Sequence, residues 1–317
     1  VAAENREPFI APTNSYSAYA KIDYDEKLTV GMTRSFFSHP STTGFRPAQT
    51  KFGDNAVLNS AIDTYNGKYK HSFSDSLKSE TMIDYASYEL LPDSMFSNVA
   101  PAFTSYKYAK SSKVKFEEQV NYSVNKDHDL VGGLSYEHFD ALPRTPDLPQ
   151  MYNTSLGSSA QNQFFPNTNN TVPIKIYEVD WENYGSYLQL ESRWTSQITT
   201  VLGLRHDHNT RFADTFNPRA GVIIKPAEST VFKLLYGESY RMPPAEFSYR
   251  LFGSFTGARN ARGEYISNFF NLPNPNLNPE KLRQVEANLS HNLTPNFVVQ
   301  VSGYYIIVSD AIAGVSV

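Results

Sequence analysis

Apolar and polar residues alternate along much of the chain, the period-two repeat of a β-strand with one apolar and one polar face. In 197–207, Ile198, Thr200, Leu202 and Leu204 share one face, and Val201, Gly203, Arg205 and Asp207 the other. In 230–241, Phe232, Leu234, Tyr236 and Tyr240 alternate with Lys233, Gly237, Ser239 and Arg241, with Glu238 an exception on the apolar side. The repeat recurs in 114–124 and 297–308. It gives about twelve strand candidates, many near the roughly 9–11 residues of a strand that crosses a bilayer.

The connections sort by length. Short turns are predicted near 24–27, 91–95, 125–128, 194–197, 226–229 and 292–296. Between them fall 37–78, 109–113, 141–173, 208–215 and 242–280, most of them long. Tight turns at one end and long loops at the other are the habit of outer-membrane barrels. The fold class expected is therefore all-β: an antiparallel transmembrane up-and-down β-barrel, here an incomplete arc of about twelve strands with both chain ends on the loop side.

Composition narrows the choice. Mean hydropathy is −0.45, and no apolar run approaches the roughly 18 residues of a spanning helix. Aromatic residues reach 14%, with 21 Tyr and 21 Phe, which suits strands with rings at an interface. A net charge of −4 gives no basic field to attract nucleic acid. The absence of cysteine removes disulfides and thiolate sites. No secretory leader is visible in residues 1–12.

Three segments carry a family resemblance. NYGSYLQLESRW with VLGLRHDH, FNPRAGVIIKP with TVFKLLYGESYRMPPAEF, and NPNLNPEKLRQVEANL with YYIIVSDAI occur in that order. Together they resemble the later barrel of TonB-dependent outer-membrane receptors, with Asn288 where the family has glycine. The resemblance implies a single partial barrel domain over 1–317, without the plug and short of the family's about 22 strands. It also implies an outer-membrane location, contact with outer-membrane lipid, energisation by the TonB complex through a plug segment, and uptake of a scarce ligand such as a ferric siderophore. A passive porin or adhesin is the alternative from outside the family. A haem or cobalamin receptor is the alternative within it. YRMP at 240–243 and NPNL at 274–277 resemble the boxes of haem receptors, yet no histidine lies in 244–273.

No catalytic constellation appears, no enzyme is expected, and no cofactor is implied. His206 and His208 fall on the apolar face near a strand end, which favours an interface role over a metal site. Arg205, Arg219 and Arg241, with Gly203, Gly221 and Gly237, fall on the polar, lumen-facing side. There the arginines brace the barrel interior, and the glycines admit a plug or a bend. For the ligand, an iron chelate above all, the candidates lie in two long loops. Tyr249, Arg250, Arg259, Arg262, Tyr265, Phe269 and Phe270 mix guanidinium groups with rings, which suits an anionic or catecholate ligand. Arg144, Tyr152, Phe164 and Phe165 lie in the second, proline-stiffened loop.

Overall fold

The computed structural model describes residues 13–41, 56–96, 105–164, 173–263 and 265–314. In its first half the strands are β1 (Tyr16–Tyr24), β2 (Leu28–Pro40), β3 (Val57–Ser72), β4 (Leu77–Leu90), β5 (Ala109–Asn125), β6 (His128–Leu142), β7 (Gln163–Phe164) and β8 (Pro173–Ile174). They continue as β9 (Val179–Arg193), β10 (Ile198–Asn209), β11 (Thr215–Ala227), β12 (Thr230–Arg241), β13 (Phe252–Arg259), β14 (Tyr265–Asn271), β15 (Glu280–Thr294) and β16 (Phe297–Ser309). A short α-helix, α1, spans Ala245–Tyr249.

Twelve strands form one antiparallel meander, β1-β2-β3-β4-β5-β6-β9-β10-β11-β12-β15-β16. The two remaining pairs, β7–β8 and β13–β14, are separate ribbons within the long connections. Among the described residues the sheet is open, and β1 and β16 each have a neighbour on one side only.

The sorting of connections is stricter than the sequence reading allowed. Residues 25–27, 73–76, 126–127, 194–197, 228–229 and 295–296 turn at one end, whereas 41–56, 91–108, 143–178, 210–214 and 242–279 connect strands at the other. Three expectations are corrected. The stretch 37–78 contains β3 and a tight turn; 91–95 opens a long connection; and 109–113 lies inside β5. The first has a local cause: Asp63, Asn66, Gly67, Lys68 and Lys70 put polar or small residues on both faces of β3, which hides its period.

Antiparallel register keeps facing residues on one side of the sheet. Leu134 faces Ser186, Leu188 faces both Gly132 and Leu204, and Leu190 faces Leu202. Leu134, Leu188, Leu202 and Leu204 are 50–66% exposed, so this surface is left for hydrocarbon to cover. Glu238, the exception on that side, faces Arg283 across the β12–β15 pair and lies 3.4 Å from its Nε. Tyr236 donates a hydrogen bond to the same carboxylate.

The opposite face is a polar lattice. Tyr187 donates to Glu117 at 2.9 Å and to Gln119 at 3.0 Å. Arg205 donates to both carboxylate oxygens of the buried Asp207, at 2.8 and 2.6 Å. Asn183 joins Asp207 to Glu137 at 3.3 and 3.2 Å. Two glycines make room for it. A Cβ at Gly133 would stand 2.4 Å from the Tyr187 ring, and one at Gly203 would stand 2.7 Å from Arg219 Nε. Gly203 therefore seats a side chain of the wall itself, and Gly237, with nothing within 4 Å, seats none.

Candidate functional site

The long connections between β4 and β5 and between β6 and β9 are sewn together above the sheet. Tyr106 and Leu148 exchange backbone hydrogen bonds at 2.9 and 3.0 Å, and Thr145 N donates to Tyr108 O at 2.8 Å. Ser94 anchors the first connection to β3, donating to Asn59 O at 2.9 Å. Tyr108, Leu142, Leu148, Tyr152 and Ile176 form a small core beneath this seam. Tyr152 lies inside that core, stacked on Tyr108 with ring centroids 4.4 Å apart. Burial, followed by the charge of Glu178, pushes its phenol up to about 12.

The seam delivers charge to the polar face at the mouth. Lys107 Nζ lies 2.5 Å from Asp147 Oδ1, with side chains only 1% and 7% exposed. Burial pushes the Lys107 ammonium down to about 8, Asp147 opposes that, and Arg250 and Arg144 repel it further. Arg144 lies 3.3 Å from Glu246 of α1, and Arg250, itself buried, pairs with the same carboxylate oxygen. Around them lies a cavity of about 480 Å³, lined among others by His39, Tyr88, Lys107, Arg144 and Glu246. Arg144 Nε is buried with no acceptor among the described residues. Three cations, Lys107, Arg144 and Arg250, meet two carboxylates, Asp147 and Glu246, so the cavity suits an anionic, oxygen-rich guest.

Beside the cavity is an aromatic ledge. Phe139 and Trp181 stack at 4.9 Å across β6 and β9. The Arg211 guanidinium lies 5.4 Å from the Trp181 centroid and 3.9 Å from that of Tyr249. Tyr177 meets Tyr249 edge-on at 5.9 Å. Rings and a guanidinium arranged in this way suit a flat, aromatic guest.

The structure thus brings Arg144, Tyr249 and Arg250 together at the mouth. Arg259 and Arg262 are placed elsewhere, at the exposed tip of the β13–β14 ribbon, where Arg259 donates to Gly263 O at 3.2 Å. Phe164 is exposed in β7. Phe165 and the side chains of Tyr265, Phe269 and Phe270 lie outside the described residues. Arg205 and Arg219 lie on the polar wall, and Arg241 pairs with Glu280 at its upper edge. His206 and His208 bracket Asp214 at 3.2 and 2.8 Å on the apolar side and hold its carboxyl below the usual range. Among the described residues no group of three or more His, Asp or Glu side chains could hold a metal. The sequence reading missed Lys107, Asp147, Glu246, Arg211 and Trp181. The aromatic run around Lys107 in TSYKYAK was the available signal for one of them.

A one-layer antiparallel meander, apolar on one face, polar on the other and looped long at one end only, defines a wall of an outer-membrane β-barrel. The chain matches the TonB dependent receptor-like β-barrel family over residues 6–317, and it belongs to that family. Two solved structures show the same fold. The siderophore receptor PirA from Acinetobacter baumannii is 12% identical, with a TM-score of 0.63 over 93% of this chain and 43% of its own. A mutant of the ferric enterobactin receptor PfeA from Pseudomonas aeruginosa is also 12% identical, with a TM-score of 0.65 over 92% and 42%. The RagAB peptide transporter is similar as well, at 12% identity and a TM-score of 0.55 over 94% and 40%. The chain therefore spans less than half the length of these relatives. No curated protein sequence matches it.

Proposed function

We propose that the full-length receptor takes up a scarce anionic chelate, a ferric siderophore above all, through TonB-driven displacement of a plug. The observation that carries this reading is the cavity lined by Arg144 and Lys107, with the Trp181–Arg211–Tyr249 ledge beside it. A multiply charged chelate with flat, oxygen-rich arms matches both halves of that surface: guanidinium and ammonium for the oxygens, ring faces for the arms. Of the similar structures, one is named a siderophore receptor and one a ferric enterobactin receptor, which agrees with the reading. The peptide transporter among them shows that the fold accepts other cargo.

The test is uptake of radio-iron from tricatecholate, citrate and hydroxamate complexes, with and without the full-length gene. Deletion should abolish uptake from at least one anionic complex, and Arg144→Ala in the restored gene should lower it roughly tenfold, the loss of one charged contact. Unchanged uptake from every iron source would overturn the proposal.

A further inference from the structure

Glu246 occupies a curious place. It rises from α1, a helix of five residues whose N-cap, Pro244, makes no side-chain cap hydrogen bond. One of its oxygens, Oε1, serves two guanidiniums, Arg144 from the β6–β9 connection and Arg250 just beyond the helix. Arg250 is 8% exposed, yet Glu246 stands 45% exposed at the cavity wall. In the Arg250 pair the cation is the buried partner and the anion is the part that water, or a solute, can reach, while Arg144 at 39% is open to the same solute. Arg144 Nε still faces no acceptor among the described residues, so a single carboxylate does not satisfy the site. A helix this short has no stability of its own and depends on its tertiary contacts. Those contacts include the Glu246–Arg144 pair, the stack of Tyr249 on Arg211, and Asn274 N donating to Phe247 O at 3.1 Å; the Glu246–Arg250 pair is local to the helix and its C-cap.

We propose that Glu246 is a built-in occupant of an anion site formed by Arg144 and Arg250, and that a polycarboxylate or comparable polyanion displaces it and frees α1 from the mouth. Exchanging one carboxylate for another leaves the guanidiniums paired throughout, so neither cation is stranded during the exchange. The incoming polyanion gains by offering more oxygens than Glu246, including one for Arg144 Nε. Departure of α1 takes Tyr249 off Arg211 and unloads the Trp181 ledge, so binding at the cavity and rearrangement of the loop are one event.

This inference rests on the cavity being the ligand site, and metal-free citrate tests it apart from iron uptake. Binding of citrate to the detergent-solubilised full-length receptor is followed by calorimetry, and protection of the 245–249 amides by hydrogen exchange. Wild type should bind citrate and lose protection at 245–249 as it does so. Glu246→Gln should bind citrate several-fold more tightly and show low protection there from the start; Arg144→Met should weaken binding at least tenfold. No citrate binding to wild type or Glu246→Gln, equal or weaker binding by Glu246→Gln, or protection unmoved by citrate would each overturn the displacement. Iron uptake that survives such a result would leave the transport reading in place.

Discussion

Lys107 holds a positive charge where water scarcely reaches, and Asp147 is the group that makes this tolerable. Its ammonium is nevertheless pushed down to about 8, chiefly by burial, with Asp147 opposing and Arg250 and Arg144 adding repulsion. A lysine that binds its proton more weakly when folded leaves the unfolded segment holding more protons between that value and the usual lysine range. Stability of the seam therefore rises with pH across that window, and the penalty is fully present below it. Amide protection at 105–108, corrected for intrinsic exchange, should increase from about pH 8 to about pH 10 in the full-length receptor, and the increase should vanish in Lys107→Met. Protection that falls over this range in the wild type would contradict the assignment. Arg144, Tyr249 and Arg250 were legible as candidates because arginine among aromatic residues in a loop stands out in a sequence. Lys107 and Asp147 did not stand out, because each gains its meaning from a partner in another connection.

At the scale of strands, period two carried most of the information, and it failed where both faces are polar. β10, β12 and β16 were readable because their lipid side is uniformly apolar or nearly so. β3 was lost inside a supposed loop, and a loop was placed within β5, because side-chain alternation alone does not register backbone pairing. The glycines are a second element-scale lesson. Their place on the polar face was readable, but which bulky neighbour lies over each depends on register across strands. Tyr187 faces Gly133 in the β6–β9 pair and reaches Glu117 on β5, so its ring crosses the backbone of β6 at the glycine on the polar face. Gly133→Ala should lift the ring off both acceptors and cost about 1–3 kcal/mol. Gly237→Ala, with nothing within 4 Å of its added carbon, should be nearly neutral. The midpoint of heat-modifiable migration of the full-length receptor in detergent reads both, and equal shifts for the two variants would reject the packing argument.

Across the whole molecule, the membrane reading makes its strongest demand on the face that a soluble protein would have to hide. Leu134, Leu188, Leu190, Leu202 and Leu204 converge from β6, β9 and β10 on one surface with Pro218 and Ala220 of β11. No second layer of the described structure covers them. In a sandwich they would meet another sheet; in a barrel they meet acyl chains, and a charge placed among them then has no water within reach. Leu202 lies midway along its strand, so Leu202→Arg should cost the barrel about 2–4 kcal/mol, the penalty for a guanidinium near the bilayer midplane. Gln284, on the polar face of β15 opposite Gly237, should accept Arg with little loss because water can solvate it there. Refolding of both full-length variants into lipid vesicles under a urea gradient measures the difference. Equal stability of the two would mean that the leucine face meets protein instead of lipid, and the transmembrane assignment of this wall would have to be withdrawn.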